Sequence, residues 1–349
     1  MSNKFLIYGA NGYTGELIAR FAAERGLEPI LAGRNEARIT EIAAKYGFEH
    51  KCFSLDETGK LDAALDLVDV VLHCAGPFSL TSSSMINACL RNEKHYTDIT
   101  GEINVFEAAA ELDAAAKAAG VMLMPGVGFD VVPSDCLALH LKERLPTATR
   151  LSLAFYGKGR LSHGTQATMT MNIGKGGAVR RDGRITTVPA AWKTREIDFG
   201  DAVKTSVTIP WGDVSTAYYS TGIPNIEVFT VVPPANLKML KISKYAGWLL
   251  ARPFFQKFLQ KQIPPGGPSD EERLNGSTLL WGEAADNDGN LVESRQQGPE
   301  GYTTTALAAL NIIEKILAGN ALPGFQTPAK AYGSGLVLEI EGTARQDIR

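Results

Sequence analysis

The sequence predicts an α/β amino-terminal domain with a doubly wound parallel sheet, followed by an α+β domain with a mixed or antiparallel sheet. Three observations carry this. A glycine-rich turn, Gly9-Ala10-Asn11-Gly12-Tyr13-Thr14-Gly15, joins the apolar run Phe5–Tyr8 to a helical stretch beginning at Glu16. Strand-like and helix-like segments then alternate up to Met124, which requires parallel strands joined by crossover helices. After Gly126 the strands follow one another without regular intervening helices, the mark of a different sheet.

In the first domain, strands are expected at Phe5–Tyr8, Glu28–Ala32, Glu49–Phe53, Asp69–Cys74, His95–Ile99 and Val121–Met124. Helices are expected at Glu36–Tyr46, Leu61–Leu67 and Ser84–Asn92, with one long alanine-rich helix over Glu102–Ala119 stopped by Gly120. Val127–Pro133 reads as irregular, with Ser134 capping a helix to about Leu145. Strands follow at Arg150–Tyr156, Lys204–Ile209, Ile226–Val232, Gly276–Ala284 and Gly289–Gln296, and a last helix at Glu300–Ala318 ends at Gly319. The expected division is residues 1–130 for a dinucleotide-binding Rossmann domain and 131–349 for a substrate and dimerisation domain, part of which packs back on the first.

The glycine turn is where the chemistry begins. A strand, a glycine-rich turn and a helix bring backbone close to a pyrophosphate, and the helix start offers free N–H groups and a positive dipole end. Gly9, Asn11, Gly12, Tyr13, Thr14 and Gly15 are therefore cofactor-binding candidates. The second strand ends in Gly33-Arg34-Asn35, where an NAD-specific site would place Asp or Glu on the ribose 2′-hydroxyl. Arg34, with Arg38 a turn beyond, suits the 2′-phosphate of NADP(H). Ala75, Gly76, Pro77 and Phe78 follow the buried strand Asp69–Cys74 at the switch-point side, where turn backbone would face the nicotinamide ribose.

Composition narrows the function class. A net charge of −3 over 349 residues gives no nucleic-acid signature. The four cysteines (Cys52, Cys74, Cys89, Cys136) have no paired spacing, which fits a reducing, cytoplasmic setting. The five histidines have no metal-ligand spacing, so no metal is expected. Phe5–Tyr8 is too short for the core of a signal peptide, and no apolar run reaches the length of a spanning helix. None of the ten tyrosines is followed four positions later by lysine, which excludes a short-chain dehydrogenase.

These motifs, in this order, resemble the saccharopine dehydrogenase-like oxidoreductases, the group that includes the trans-acting enoyl reductases. The resemblance rests on Gly9–Gly15, Ala32-Gly33-Arg34, Ala75–Phe78, Asp98-Ile99-Thr100-Gly101-Glu102 and Gly128-Phe129-Asp130-Val131-Val132-Pro133-Ser134-Asp135. It continues through Gly164-Thr165, Arg180-Arg181-Asp182-Gly183, Gly298-Pro299-Glu300-Gly301-Tyr302 and Thr327-Pro328-Ala329. It implies an NADP-type Rossmann domain, a substrate domain and a cleft between them, but no particular substrate. This chain departs from the group by reading Phe78-Ser79-Leu80-Thr81 where a tyrosine usually follows Gly-Pro.

The catalytic candidates are Asp130, which would orient substrate or deliver a proton, and His163 in Leu161–Thr165. Asp135 reads as a helix-dipole partner, and His73 with Cys74 as core. Cys136, with His140 four residues on, carries the alternative of a thioester-forming aldehyde or acyl-phosphate dehydrogenase, against a packing role beside Leu137, Leu141 and Leu145. A third alternative is a non-catalytic sensor of NADP(H). The leading expectation is an NADP(H)-dependent oxidoreductase reducing a C=C, C=N or C=O bond of a small or lipid-like substrate. Lys244–Lys261 interleaves aromatic residues with cations and is broken by Pro253, which predicts a helical hairpin on the second domain or a dimer partner, with at most weak membrane-surface contact.

Overall fold

The computed structural model describes residues 4–166, 176–232 and 266–349, so the Lys244–Lys261 expectation lies outside the described residues. Two compact units emerge. One comprises Met1–Val132 with Tyr302–Ala331, the other Pro133–Gly301 with Tyr332–Arg349.

The first unit alternates β1 (Phe5–Tyr8), α1 (Tyr13–Glu24), β2 (Ile30–Gly33), α2 (Glu36–Tyr46), β3 (His50–Cys52), α3 (Thr58–Leu65), β4 (Val70–His73), α4 (Phe78–Arg91), β5 (His95–Asp98), α5 (Ile103–Glu111), α6 (Asp113–Ala118) and β6 (Met122–Met124). β1, β2 and β4 are buried along their whole length, as parallel strands covered by helices on both faces must be. The order across the sheet is β15-β6-β5-β4-β1-β2-β3, where β15 is Gly324–Phe325, with every described pair parallel. The chain leaves β1 outward to β2 on one side and returns to β4 on the other, which opens a crevice beyond the carboxyl ends of β1 and β4. The doubly wound parallel sheet is thus as the sequence predicts.

The boundaries differ in instructive ways. The alanine-rich stretch is two helices, α5 and α6, which part at Leu112 (φ −90°, ψ 6°). Helix α4 begins at Phe78, directly on the turn, rather than at Ser84.

The second unit holds α7 (Val132–Arg144), β7 (Arg150–Lys158), β8 (Gly177–Arg181), β9 (Arg184–Val188), β10 (Thr194–Asp198), β11 (Val203–Thr208), α8 (Asp213–Thr221), β12 (Asn225–Val231), α9 (Asp270–Asn275), β13 (Ser277–Ala285) and β14 (Leu291–Pro299). The chain then runs through α10 (Gly301–Leu317), β15 (Gly324–Phe325) and α11 (Pro328–Tyr332) to β16 (Ala344–Asp347). α10 and β15 fall almost wholly in the first unit, where β15 extends the parallel sheet beside β6. The second sheet has nine strands, ordered β10-β11-β12-β7-β13-β14-β16 with β8 and β9 branching from β12. Only β12 and β7 pair in parallel, so the sheet is mixed.

α7 lies close on this sheet at Gly282, where an added Cβ would stand 2.6 Å from Leu141 and 3.1 Å from Leu137. Because α7 starts at Val132, Ser134 falls inside its first turn and is not the cap. The tight β8–β9 hairpin turns at Asp182 and Gly183, both at positive φ (46° and 77°), as a two-residue hairpin loop demands.

Candidate active site

Backbone fixes the turn after β1. Gly9 N–H donates to Ala32 O at 2.7 Å and Gly12 N–H to Gly9 O at 3.0 Å, tying the turn to the end of β2 and closing it on itself. Gly9 sits at φ 88°, and a Cβ there would lie 2.7 Å from the Ala75 nitrogen. A Cβ on Gly15 would lie 2.4 Å from Gly9 O, so that glycine lets α1 start directly against the turn. No side chain caps α1, whose N-cap residue is Gly12. The positive dipole end of the helix therefore carries no side-chain cap, and an anion suits it. Asn11 turns its amide oxygen to Gly33, where a Cβ would meet it at 2.5 Å. Tyr13 packs edge-on against Tyr302, ring centroids 5.1 Å apart. Thr14 is half-buried in the first turn of α1.

The two arginines differ. Arg34, immediately after Gly33, is exposed, and among the described residues its guanidinium makes no hydrogen bond or ion pair. Arg38 is engaged: its guanidinium contacts Glu41 at 2.6 Å and Glu16 at 3.5 Å, while its backbone N–H meets the Asn35 side chain that caps α2. Arg34 is therefore the cation with open donors.

Ala75, Gly76, Pro77 and Phe78 form the turn between β4 and α4, facing the glycine turn through the Gly9–Ala75 contact. Two side chains hold it. Glu102 accepts from Phe78 N–H at 2.7 Å through Oε1 and from Ser79 N–H at 3.1 Å through Oε2, closing the N-terminus of α4 with a carboxylate. The Thr81 hydroxyl donates to Ala75 O at 2.8 Å. With that proton committed, His73 Nε2, 3.0 Å from Thr81 Oγ1, carries the N–H of the imidazole. Burial drives the His73 pKa down to about 3, so the ring stays neutral. The sequence reading of His73 as core holds, and the hydrogen-bonded role adds to it.

Asp98, at the end of β5, is buried and accepts from the Tyr96 hydroxyl at 2.6 Å, Thr100 N–H at 2.9 Å and Gly126 N–H at 2.8 Å. Burial pushes its carboxyl up to about 6 against those donors, which favour the charged form. Asp98 thus ties the β5 loop to the β6 loop, as Glu102 ties it to the β4 loop. The Asp98–Glu102 motif carries the resemblance, yet local sequence spacing marks neither carboxylate as holding these loops.

Asp130 lies in the same unit, packed on the Gly101 backbone: a Cβ on Gly101 would stand 2.7 Å from its Oδ2. Its dense surroundings push the carboxyl up to about 7. The segment leading to it is pinned where Phe129 N–H donates to Thr305 Oγ1 at 3.0 Å.

The remaining candidates sit in the second unit. His163 is exposed, and its backbone N–H donates to Gly266 O. Asp135 is buried and accepts from Ser220 Oγ at 2.5 Å. Cys136 is fully buried with its thiol directed to Gly333 O, and burial pushes the thiol pKa up, away from the thiolate a nucleophile needs. His140 bonds Asp347 at 2.8 Å. This geometry speaks for the packing role of Cys136 and against the thioester alternative. Among the described residues no cluster of three His, Cys, Asp or Glu is arranged to hold a metal ion, and no helix is long and apolar enough to cross a membrane.

Residues 5–124 match the saccharopine dehydrogenase NADP binding domain. A trans-acting enoyl reductase of Mycobacterium leprae is 30% identical over 148 residues, covering 40% of this chain and 35% of its own. A saccharopine dehydrogenase-like oxidoreductase of Pongo abelii is 24% identical over 217 residues, covering 56% of this chain and 46% of its own. The matches thus span less than half the length of these curated relatives. Saccharopine dehydrogenase (L-Glu forming) of Saccharomyces cerevisiae superposes with a TM-score of 0.70 over 99% of this chain and 100% of that one, at 12% identity, which speaks to the fold. Residues 5–124 thus carry a domain similar to the saccharopine dehydrogenase NADP binding domain, which makes NADP(H) the cofactor of this unit, and the chain as a whole shares the fold of saccharopine dehydrogenase.

Proposed function

We propose that the protein is an NADP(H)-dependent oxidoreductase that reduces a C=C, C=N or C=O bond of a small or lipid-like substrate, with enoyl reduction the first chemistry to test. Its support is the uncapped N-terminus of α1, framed by Gly9 and Gly15 and followed across β2 by the unengaged Arg34. That arrangement fits a pyrophosphate and a 2′-phosphate. The relatives named as enoyl reductases favour the C=C case.

When bound, NADPH supplies the hydride. Gly9, Asn11, Gly12, Tyr13, Thr14 and Gly15 bring backbone to the pyrophosphate, and Arg34 answers the 2′-phosphate, with Arg38 orienting the start of α2. Ala75–Phe78 forms the wall nearest the reacting end. Asp130, with its carboxyl raised by burial to about 7, keeps a substantial protonated fraction near neutral pH on a carboxyl beside the Gly101 backbone. In reduction it delivers that proton; in oxidation it accepts one. His163 is the second candidate, on the unit that would receive substrate. The division of labour assigns cofactor to the unit of residues 1–132 with 302–331, and substrate to the unit of 133–301 with 332–349, in a cytoplasmic protein without nucleic-acid partners. Any homodimer contact falls to the second part of the chain.

The test is NADPH consumption, followed by absorbance, against enoyl thioesters, keto acids with amines, and aldehydes. Turnover of one class establishes the reaction type. Tight NADPH binding without turnover across all three would favour the cofactor-sensing alternative.

A further inference from the structure

Glu102 presents an arrangement that hydride transfer alone does not explain. It occupies the N-cap position of α5, yet it does not cap its own helix. Its carboxylate instead reaches 24 positions back in sequence to Phe78 N–H and 23 back to Ser79 N–H, the first donors of α4. From the other side, the His73–Thr81 pair holds Ala75 O. The turn between β4 and α4 is therefore fixed at both ends by side chains, one anionic and one neutral. The Glu102 carboxylate also takes the donors and the positive dipole end that would otherwise attract phosphate.

We propose that Glu102 is a positioning residue. It fixes the Ala75–Phe78 turn for the nicotinamide half of the cofactor and leaves α1 as the helix start that receives the pyrophosphate. This inference rests on the reading that NADP(H) lies across the ends of β1 and β4. Glu102 touches no reacting atom; it acts through the turn.

The test separates the two halves of the cofactor. Adenosine 2′,5′-bisphosphate carries the 2′-phosphate and the adenosine-side 5′-phosphate without a nicotinamide, so its affinity reports the Arg34 and α1 side and not the Ala75–Phe78 turn. Calorimetry gives the Kd of this probe and of NADPH for wild type, Glu102→Ala and Glu102→Gln. The emission of bound NADPH reports the surroundings of the nicotinamide. Removing charge-assisted hydrogen bonds should raise the NADPH Kd about tenfold in Glu102→Ala, with less in Glu102→Gln, which keeps one carbonyl acceptor. The Kd of the bisphosphate should stay within about twofold, a change too small to signal a lost hydrogen bond. NADPH emission should move toward that of the free cofactor. Thr81→Val should give the same split through the other end of the turn, and Thr81→Ser should restore wild-type binding. Equal weakening of both ligands would reduce Glu102 to a fold-stabilising residue, and unchanged NADPH affinity and emission would overturn the proposal outright. Failure of wild type to bind either ligand would instead reject the underlying cofactor reading.

Discussion

Helices α1 and α4 begin one turn after neighbouring parallel strands, at the same edge of the same sheet, yet their N-termini are chemically opposite. α1 starts at Gly12 with no side-chain cap. α4 has Pro77 as its N-cap residue, and its first two N–H groups, of Phe78 and Ser79, are taken by the Glu102 carboxylate. Both carry the same partial positive charge from the helix dipole. One is closed by a carboxylate from within the protein, and the other carries no side-chain cap. A helix start is thus a phosphate site only where no acidic residue, however distant in sequence, has reached it first.

The most damaging change to the open end is steric. Gly15→Val places a Cβ where Gly9 O stands 2.4 Å away, so the turn and α1 cannot keep their present contact. NADPH binding should fall by more than about a hundredfold, the scale of losing several charged hydrogen bonds at once. Calorimetric titration checks this.

Gly12→Asp makes the open end resemble the closed one. Gly12 has φ −83° and ψ 161°, which any residue adopts, and a Cβ there meets only Gly9 O at 3.4 Å. Aspartate is a strong N-cap, so thermal stability should hold or rise by a few tenths of a kcal/mol. NADPH affinity should nevertheless fall at least about tenfold, because the carboxylate takes the donors and repels phosphate. Melting and titration on one sample separate the two effects. Parallel loss of stability and affinity would break the comparison.

Arg34→Ala should cost about 1.5–3 kcal/mol, or about ten- to a hundredfold in NADPH affinity, with NADH affinity nearly unchanged. Arg38→Ala should do less, because that guanidinium is already shared between Glu16 and Glu41.

Asp130 gives a pH signature rather than a loss of binding. A proton donor must be protonated, and its carboxyl is raised to about 7. The rate of reduction should therefore be full below that pH and decline above it, with Asp130→Asn removing this limb and lowering the rate. The same shift has a stability consequence. The folded form holds its proton to higher pH than the unfolded chain, so folding stability declines as pH rises from the ordinary carboxyl range through 7. Denaturant titrations across pH 4–8 (about the window this shift spans) should show a smaller decline in Asp130→Asn. Smallest of all, Cys136→Ala should keep turnover, since the buried thiol is held protonated.

Much of the first unit was legible because parallel strands buried on both faces read as unbroken apolar runs, and because Gly9, Gly12 and Gly15 punctuate one strand–helix junction. The second unit was less so. Strands β8 to β10 carry half-exposed, charged and threonine-rich stretches such as Arg184–Val188, whose alternation is faint. Asp182-Gly183 was the available hairpin signal there. The break at Leu112 was hidden because alanine continues the helical propensity on both sides. Glu102 was missed for a different reason. Its position before a helix suggests a local cap, whereas its partners are set by tertiary approach, which local spacing does not encode. The difference between Arg34 and Arg38 likewise depends on where Glu16 and Glu41 point.

The assignment of Arg34 to the 2′-phosphate beside the uncapped start of α1 is tested most directly by titrating wild-type protein and Arg34→Ala with NADPH and NADH under the same salt. Wild type should bind NADPH at least about tenfold more tightly than NADH, and Arg34→Ala should bring the two together by weakening NADPH alone. Equal affinities in wild type, or a preference that survives the loss of Arg34, would contradict the assignment of the 2′-phosphate to this arginine.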